Sequence, residues 1–222
     1  MRDLLQPKLI KPIAYAALAT AILCIPRLYT WSSRNNPIWY LAGVIFTGGF
    51  VLWGFVFAWH TKYAGRPVFT LRIKARDFAF ATLAGISTAV ALRLFIDPLA
   101  RQATPEDYPA SVEEWLAMCL FTLALNQLIL VFAPVAWLMR LFKSRTIAVT
   151  LTVLFGVVVL ILKIQQVTTP IAPTLFNLLI VARLIVGILS VEIYLRGGVV
   201  LTWWLGFLVQ LHLLWAVGAQ PE

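Results

Sequence analysis

Long apolar runs separated by short polar stretches make up most of the chain. Crossing a membrane as a helix takes about 20 mostly apolar residues, each rising about 1.5 Å. Seven runs approach or meet that length, at about residues 10–25, 38–59, 78–96, 115–141, 147–162, 175–194 and 199–217; the first is the weakest and could be a tilted or re-entrant piece. The runs are continuous rather than alternating, so they predict helices and not barrel strands. Ser111, followed by Glu113 and Glu114, has the form of a helix start: a hydroxyl cap with acids in the first turn. Pro134 lies inside the fourth run and removes a backbone donor, which predicts a kink near Leu130. Pro170 and Pro173 mark the turn before the sixth run, and Gly197-Gly198 separates the sixth from the seventh very tightly. The expected fold is all-α: a single domain over residues 1–222, a polytopic bundle of about seven spanning helices.

Charge orients the bundle. With the N-terminus inside, the inner segments hold Arg2, Lys8, Lys11, Lys62, Arg66, Arg72, Lys74, Arg76, Arg140, Lys143, Arg145 and Arg196, against the acids Asp3 and Asp77. The outer segments hold Arg27, Arg34, Arg101 and Lys163, against Asp97, Glu106, Asp107, Glu113, Glu114 and Glu222. Basic residues concentrated on one side are the signature of a cytoplasmic face, so a cytoplasmic N-terminus is expected. Only 12% of the 222 residues are charged and 61% are hydrophobic. That balance excludes a disordered tail or a polar binding module and argues against an ordinary soluble enzyme. The net charge of +9 comes from bases in short stretches between apolar runs. This suits lipid headgroups, and no nucleic-acid partner is expected. Cys24 and Cys119 have neither metal nor redox spacing. No small-x-small cleavage pattern leads into soluble sequence, so the first run is expected to be a retained helix.

Polar side chains inside the apolar runs are costly and therefore informative. Asn126 and Gln127 lie mid-way along the fourth run, Arg183 half-way through the sixth and Gln210 mid-way along the seventh. They form a candidate polar cleft, in which Arg183 is met by Asn126 or Gln127, or else by another subunit or a lipid phosphate. Bridging helices is the plainer role for the amides, at about 1 kcal/mol or less each. Arg93 can snorkel from the third run. Glu192 has Arg196 four residues on, on the same helical face. His60 and His212 are expected at different depths, and neither has a metal-type partner in sequence. His212, His60, Trp203 and Trp204 are the side chains available to contact a haem or pigment; the sequence requires no cofactor, and no metal site is expected.

The stretch from about 112 to 217 resembles the core of the CPBP family of intramembrane endopeptidases (the CAAX prenyl protease and bacteriocin-processing, or Abi, family). The carriers are RLIVGILSVEIYLRGGVVLTWWLGFLVQLHLLW at 183–215, NQLILVFAPVAWLMRL at 126–141 and TVLFGVVVLILK at 152–163. In active members a glutamate and histidines activate water for peptide cleavage. Here the resemblance places the paired glutamates on Asn126 and Gln127 and the motif arginine on Val131. The Phe of the second motif matches Phe155, but its histidine falls on Val159. The last motif's histidine falls on Gly206, and its Asn or Asp on Gln210. The resemblance therefore implies the fold without its proton acceptors. A missing general base typically costs 10²–10⁴-fold in rate.

These readings favour a noncatalytic integral membrane subunit of the bacterial inner membrane. It would brace or assemble a larger membrane complex, for instance a photosynthetic or respiratory one, with other integral membrane proteins and lipids as partners. The alternatives are a divergent CPBP-type peptidase and a carrier of lipids or small molecules built around Asn126, Arg183 and Gln210. No carboxylate–imidazole pair is expected, since Glu192 and His212 fall near opposite faces.

Overall fold

The computed structural model describes residues 7–33, 36–65, 67–166 and 171–217. Arg2, Asp3, Arg34, Arg66, Pro170 and Glu222, which entered the charge and turn readings, lie outside the described residues. Six helices follow one another with short connections: α1 (Pro7–Trp31), α2 (Ile38–Ala64), α3 (Ala75–Ala103), α4 (Val112–Phe142), α5 (Arg145–Gln165) and α6 (Pro173–Val217). All six are long and apolar enough to cross a membrane. Among the described residues there is no strand.

The last helix accounts for two of the seven expected crossings. At about 1.5 Å per residue its 45 residues would reach about 67 Å, far beyond a hydrocarbon core of about 30 Å. It breaks at Gly198, where φ is 70° and ψ is −162°, a conformation essentially restricted to glycine. A Cβ there would also stand 2.8 Å from the carbonyl oxygen of Val68. The two arms, residues 173–197 and 199–217, run antiparallel. Leu175 packs with Ile96 and Ala100, while Glu192 reaches Arg145. On the return, the Val199 N–H donates to the Val68 carbonyl and His212 comes back beside Asp97. The ion pairs respect the two ends. Arg27–Glu114 and Lys163–Asp107 lie at the Asp97 end, and Arg145–Glu192 lies at the Gly198 end.

Backbone irregularities follow the prolines. In α4 two π-turns, Thr122–Asn126 and Leu128–Phe132, directly precede Pro134. The missing proline donor and the bulk of its ring disturb the ladder at Leu130, inside the second π-turn, which absorbs the change of register. In α3 a π-turn at Leu92–Ile96 precedes Pro98 for the same reason. This corrects the sequence reading of the third run, which ended it at Ile96 and put Asp97 in an outer loop. The helix continues to Ala103, and Asp97 is a buried helical residue. The first run, suspected of being re-entrant, is a 25-residue helix despite Pro12 and Pro26.

Lipid offers no hydrophobic drive between helices, so close fit and hydrogen bonds hold them together. Gly49 faces Ala17 closely enough that an added Cβ would lie 3.7 Å from the Ala17 Cα. Gly187 meets Val153 in the same way across α5 and α6. Trp53 donates to the Thr20 hydroxyl, which donates to the Ala16 carbonyl. Large apolar side chains of the spanning helices such as Val51, Leu83 and Leu94 are exposed on the outside, as lipid contact requires.

Candidate binding cleft and its polar cluster

Two adjoining cavities mark a polar way into the bundle. The inner one, about 150 Å³, lies between α4, α5 and both arms of α6. Asn126, Gln127, Arg183 and Gln210, the expected polar cleft, all line it. Of the positions singled out by the family resemblance, Val131 and Gly206 line it as well, whereas Val159 does not. The larger one, about 810 Å³, opens at the Asp97 end. Thr122, Asn126 and Gln210 line both, so the two cavities are neighbours across these side chains. Arg140, Arg145 and Arg196, at the opposite end, line neither.

The π-turns build this route. Leu92 and Ile96 of the α3 π-turn line the outer cleft; Thr122 and Asn126 of the first α4 π-turn line both cavities; Leu130 and Val131 of the second line the inner one. Wider turns re-aim side chains that a regular helix would direct elsewhere. Gly206 leaves space for Gln127, since a Cβ there would lie 3.2 Å from the Gln127 Nε2. Gly156 does the same for Arg183, where a Cβ would stand 2.6 Å from Nη2. The Arg183 Nε donates to the Gly156 carbonyl at 3.1 Å. That carbonyl is the hydrogen-bonding partner of Arg183, in place of the expected amide of Asn126 or Gln127, which share its cavity.

At the mouth stands a cluster that the sequence reading did not foresee. Asp97, 1% exposed, places both carboxylate oxygens 3.0 Å from the His212 Nδ1. Tyr108, from the connection between α3 and α4, donates its hydroxyl to Asp97 Oδ1 at 3.1 Å. Arg93, one turn earlier on α3, approaches Oδ2 at 3.9 Å, so it is a partner of Asp97 rather than only a snorkelling side chain. A carboxylate only accepts, which assigns the shared proton to His212 Nδ1 and leaves Nε2 as the ring nitrogen available to the cleft. Burial first, and then the charge and hydrogen bond of Asp97, hold the Tyr108 phenol above its ordinary range, with Arg101 opposing them. The pair corrects the expectation that no carboxylate meets an imidazole. The signal that could have revealed it is the apolar spacing of Leu99, Ala100 and Ala103, which continues the helix beyond Asp97-Pro98.

The remaining candidate residues lie away from both cavities. His60 is 3% exposed, packs against the Tyr194 ring at 4.7 Å, and its Nε2 is buried without a hydrogen-bond partner. Trp203 packs against the main core, and Trp204 donates to Thr82 while stacking on Phe78 and Phe207. None of these three lines either cavity, so they do not join His212 around a space for a haem or pigment. Glu192 is held chiefly by Arg145 of α5 at 2.6 Å; the expected Arg196 contact is looser, at 3.9 Å. Ser111 caps α4 by accepting the Glu114 N–H, while the Glu114 carboxylate accepts the Ala110 N–H. Among the described residues, no group of three His, Cys, Asp or Glu side chains is placed to hold a metal ion. No protein-family model, no curated protein and no solved structure matches the chain.

Proposed function

We propose that the protein is a noncatalytic, multi-pass membrane protein that holds an amphiphilic small molecule or lipid in the cleft opening at the Asp97 end. The single observation carrying this reading is that two cavities adjoin, with Thr122, Asn126 and Gln210 lining both. An arrangement that is wide at the outer end, polar at mid-depth and bounded by Val131, Val153 and Val191 beyond suits retention better than passage. The charge pattern supports a mouth on the outer face, and the membrane proposed is the bacterial inner membrane. The helix arrangement would be that of a CPBP relative whose motif side chains have been replaced. A brace within a larger complex draws no specific support, because the exposed apolar side chains are what lipid alone demands. The test is native mass spectrometry of protein extracted in a neutral detergent. A retained amphiphile that is lost when Leu179→Trp fills the outer cleft supports the reading; identical spectra for both proteins refute it.

A second reading, hydrolysis within the membrane, is favoured by Asp97–His212. Asp97 orients the ring, and Nε2 supplies a base where the sequence offered none. Peptide cleavage by the purified protein that vanishes in His212→Asn, with folding intact, would establish it; equal background rates would remove it.

A further inference from the structure

We infer that the inner cavity is an anion seat, in which Arg183, Thr152 and the Gln127 amide bind the phosphate group of an amphiphile or of a free anion; this rests on the proposal that the cleft holds a ligand. Arg183 lies half-way along the first arm of α6, opposite the middle of α5. An isolated cation at that depth carries a desolvation cost of several kcal/mol unless an anion or water compensates it. Among the described residues no carboxylate pairs with it. Glu192, on the same arm, is about 13 Å further along the helix and is held by Arg145. Asp97 is taken by His212, Tyr108 and Arg93.

The lining determines the sign of the ligand. Among the described residues, Arg183 is the only charged side chain lining the inner cavity. Thr152 is 1% exposed, and its hydroxyl has no hydrogen-bond partner. The Gln127 Oε1 is likewise buried without a partner, and rotating the amide by half a turn puts an N–H₂ donor in its place. A guanidinium, a hydroxyl and amides form a donor-rich site, which phosphate oxygens satisfy and a cation does not. The volume of about 150 Å³ compares with about 10–15 Å³ for one water, so an oxyanion fits with waters to spare. The outer cleft offers Leu160, Ile164, Leu175 and Leu179 for an acyl chain.

The experiment uses the full chain, stripped of lipid in a neutral detergent, with three probes: phosphatidylglycerol, diacylglycerol with the same acyl chains, and inorganic phosphate. Binding is read by native mass spectrometry and by the rise in unfolding temperature. The expected result is that phosphatidylglycerol binds about tenfold or more tightly than diacylglycerol, a gap that Arg183→Gln closes and Arg183→Lys partly keeps. Thr152→Val, nearly isosteric and so a check on folding, should narrow the gap less. Stabilisation by inorganic phosphate that depends on Arg183, without lipid preference, keeps the seat and assigns the anion to solution. Equal binding of the two lipids by the parent chain and Arg183→Gln, with phosphate inert, overturns the seat but leaves the cleft reading standing. If none of the three probes binds, both readings fall.

Discussion

His60 and His212, the two histidines of the chain, occupy opposite ends of the bundle and opposite chemical situations. His212 shares a proton with a buried carboxylate at the edge of a cleft. His60 packs against the Tyr194 ring, and the Tyr194 hydroxyl and the Trp59 Nε1 are, like its own Nε2, buried without a hydrogen-bond partner. The cleft end is built from hydrogen bonds and open volume; the Gly198 end is built from aromatic packing around a tight turn. Their different depths do not by themselves explain the contrast. What separates them is whether a neighbouring helix brings a complementary group and leaves space beside it.

The largest effect should come from the closed end. Gly198→Ala forces a β-carbon into a glycine-only conformation and against the Val68 carbonyl, at a cost of about 3 kcal/mol or more. Thermal unfolding in detergent, followed by near-ultraviolet circular dichroism, should show a much lower midpoint or no recoverable folded protein. An unchanged midpoint would mean that the hairpin of α6 is not pinned at that turn.

Breaking the cluster at the mouth should cost less. Asp97→Asn replaces the acceptor shared by His212 and Tyr108, and an effect of about 1–3 kcal/mol is expected. A double-mutant cycle with His212→Asn isolates the pair, and a coupling of about 1 kcal/mol or more is the expected value. Additive effects would show that the two side chains are merely adjacent. The comparison sharpens with one replacement made at both ends. His60→Phe removes a buried nitrogen that has no partner and keeps a ring against Tyr194, so its stability should change by less than about 1 kcal/mol, in either direction. His212→Phe leaves Asp97 without its closest partner and should cost more. If both replacements cost the same, the contrast between the ends has no energetic content.

The sequence disclosed the two ends unequally, and the reason is physical. Apolar run length carries the spanning helices, and Gly197-Gly198 marks the hairpin, because membrane thickness and glycine conformation are local constraints. The polar cleft was also legible, since an arginine and three amides inside apolar runs have few places to go except toward one another. Asp97 was not. Asp-Pro reads as a helix boundary, and only the π-turn at Leu92–Ile96 carries the helix past it. Its partner lies 115 residues away and is brought back by the return arm of α6. Likewise, Arg183 was expected to meet an amide, but no local rule foretells that Gly156, 27 residues earlier, offers both a bare backbone and a carbonyl.

The smallest effect is a titration at the mouth. Tyr108 lies in the connection between α3 and α4, outside the spanning helices, and its phenol is held above its ordinary range. The ordinary value is about 10. A raised value in the folded state means that folding favours the neutral phenol. Its contribution to stability is therefore complete below about pH 10 and disappears as the pH rises through the higher folded value. Phenolate absorbance should accordingly show an ionisation above the ordinary range that Tyr108→Phe removes. Burial is the largest cause and the Asp97 charge the next, so Asp97→Asn should move the titration only part of the way back. A full return would assign the shift to the carboxylate alone. No movement would mean that the Asp97–Tyr108 hydrogen bond is not made in solution, which would undo the cluster that distinguishes this end from the other.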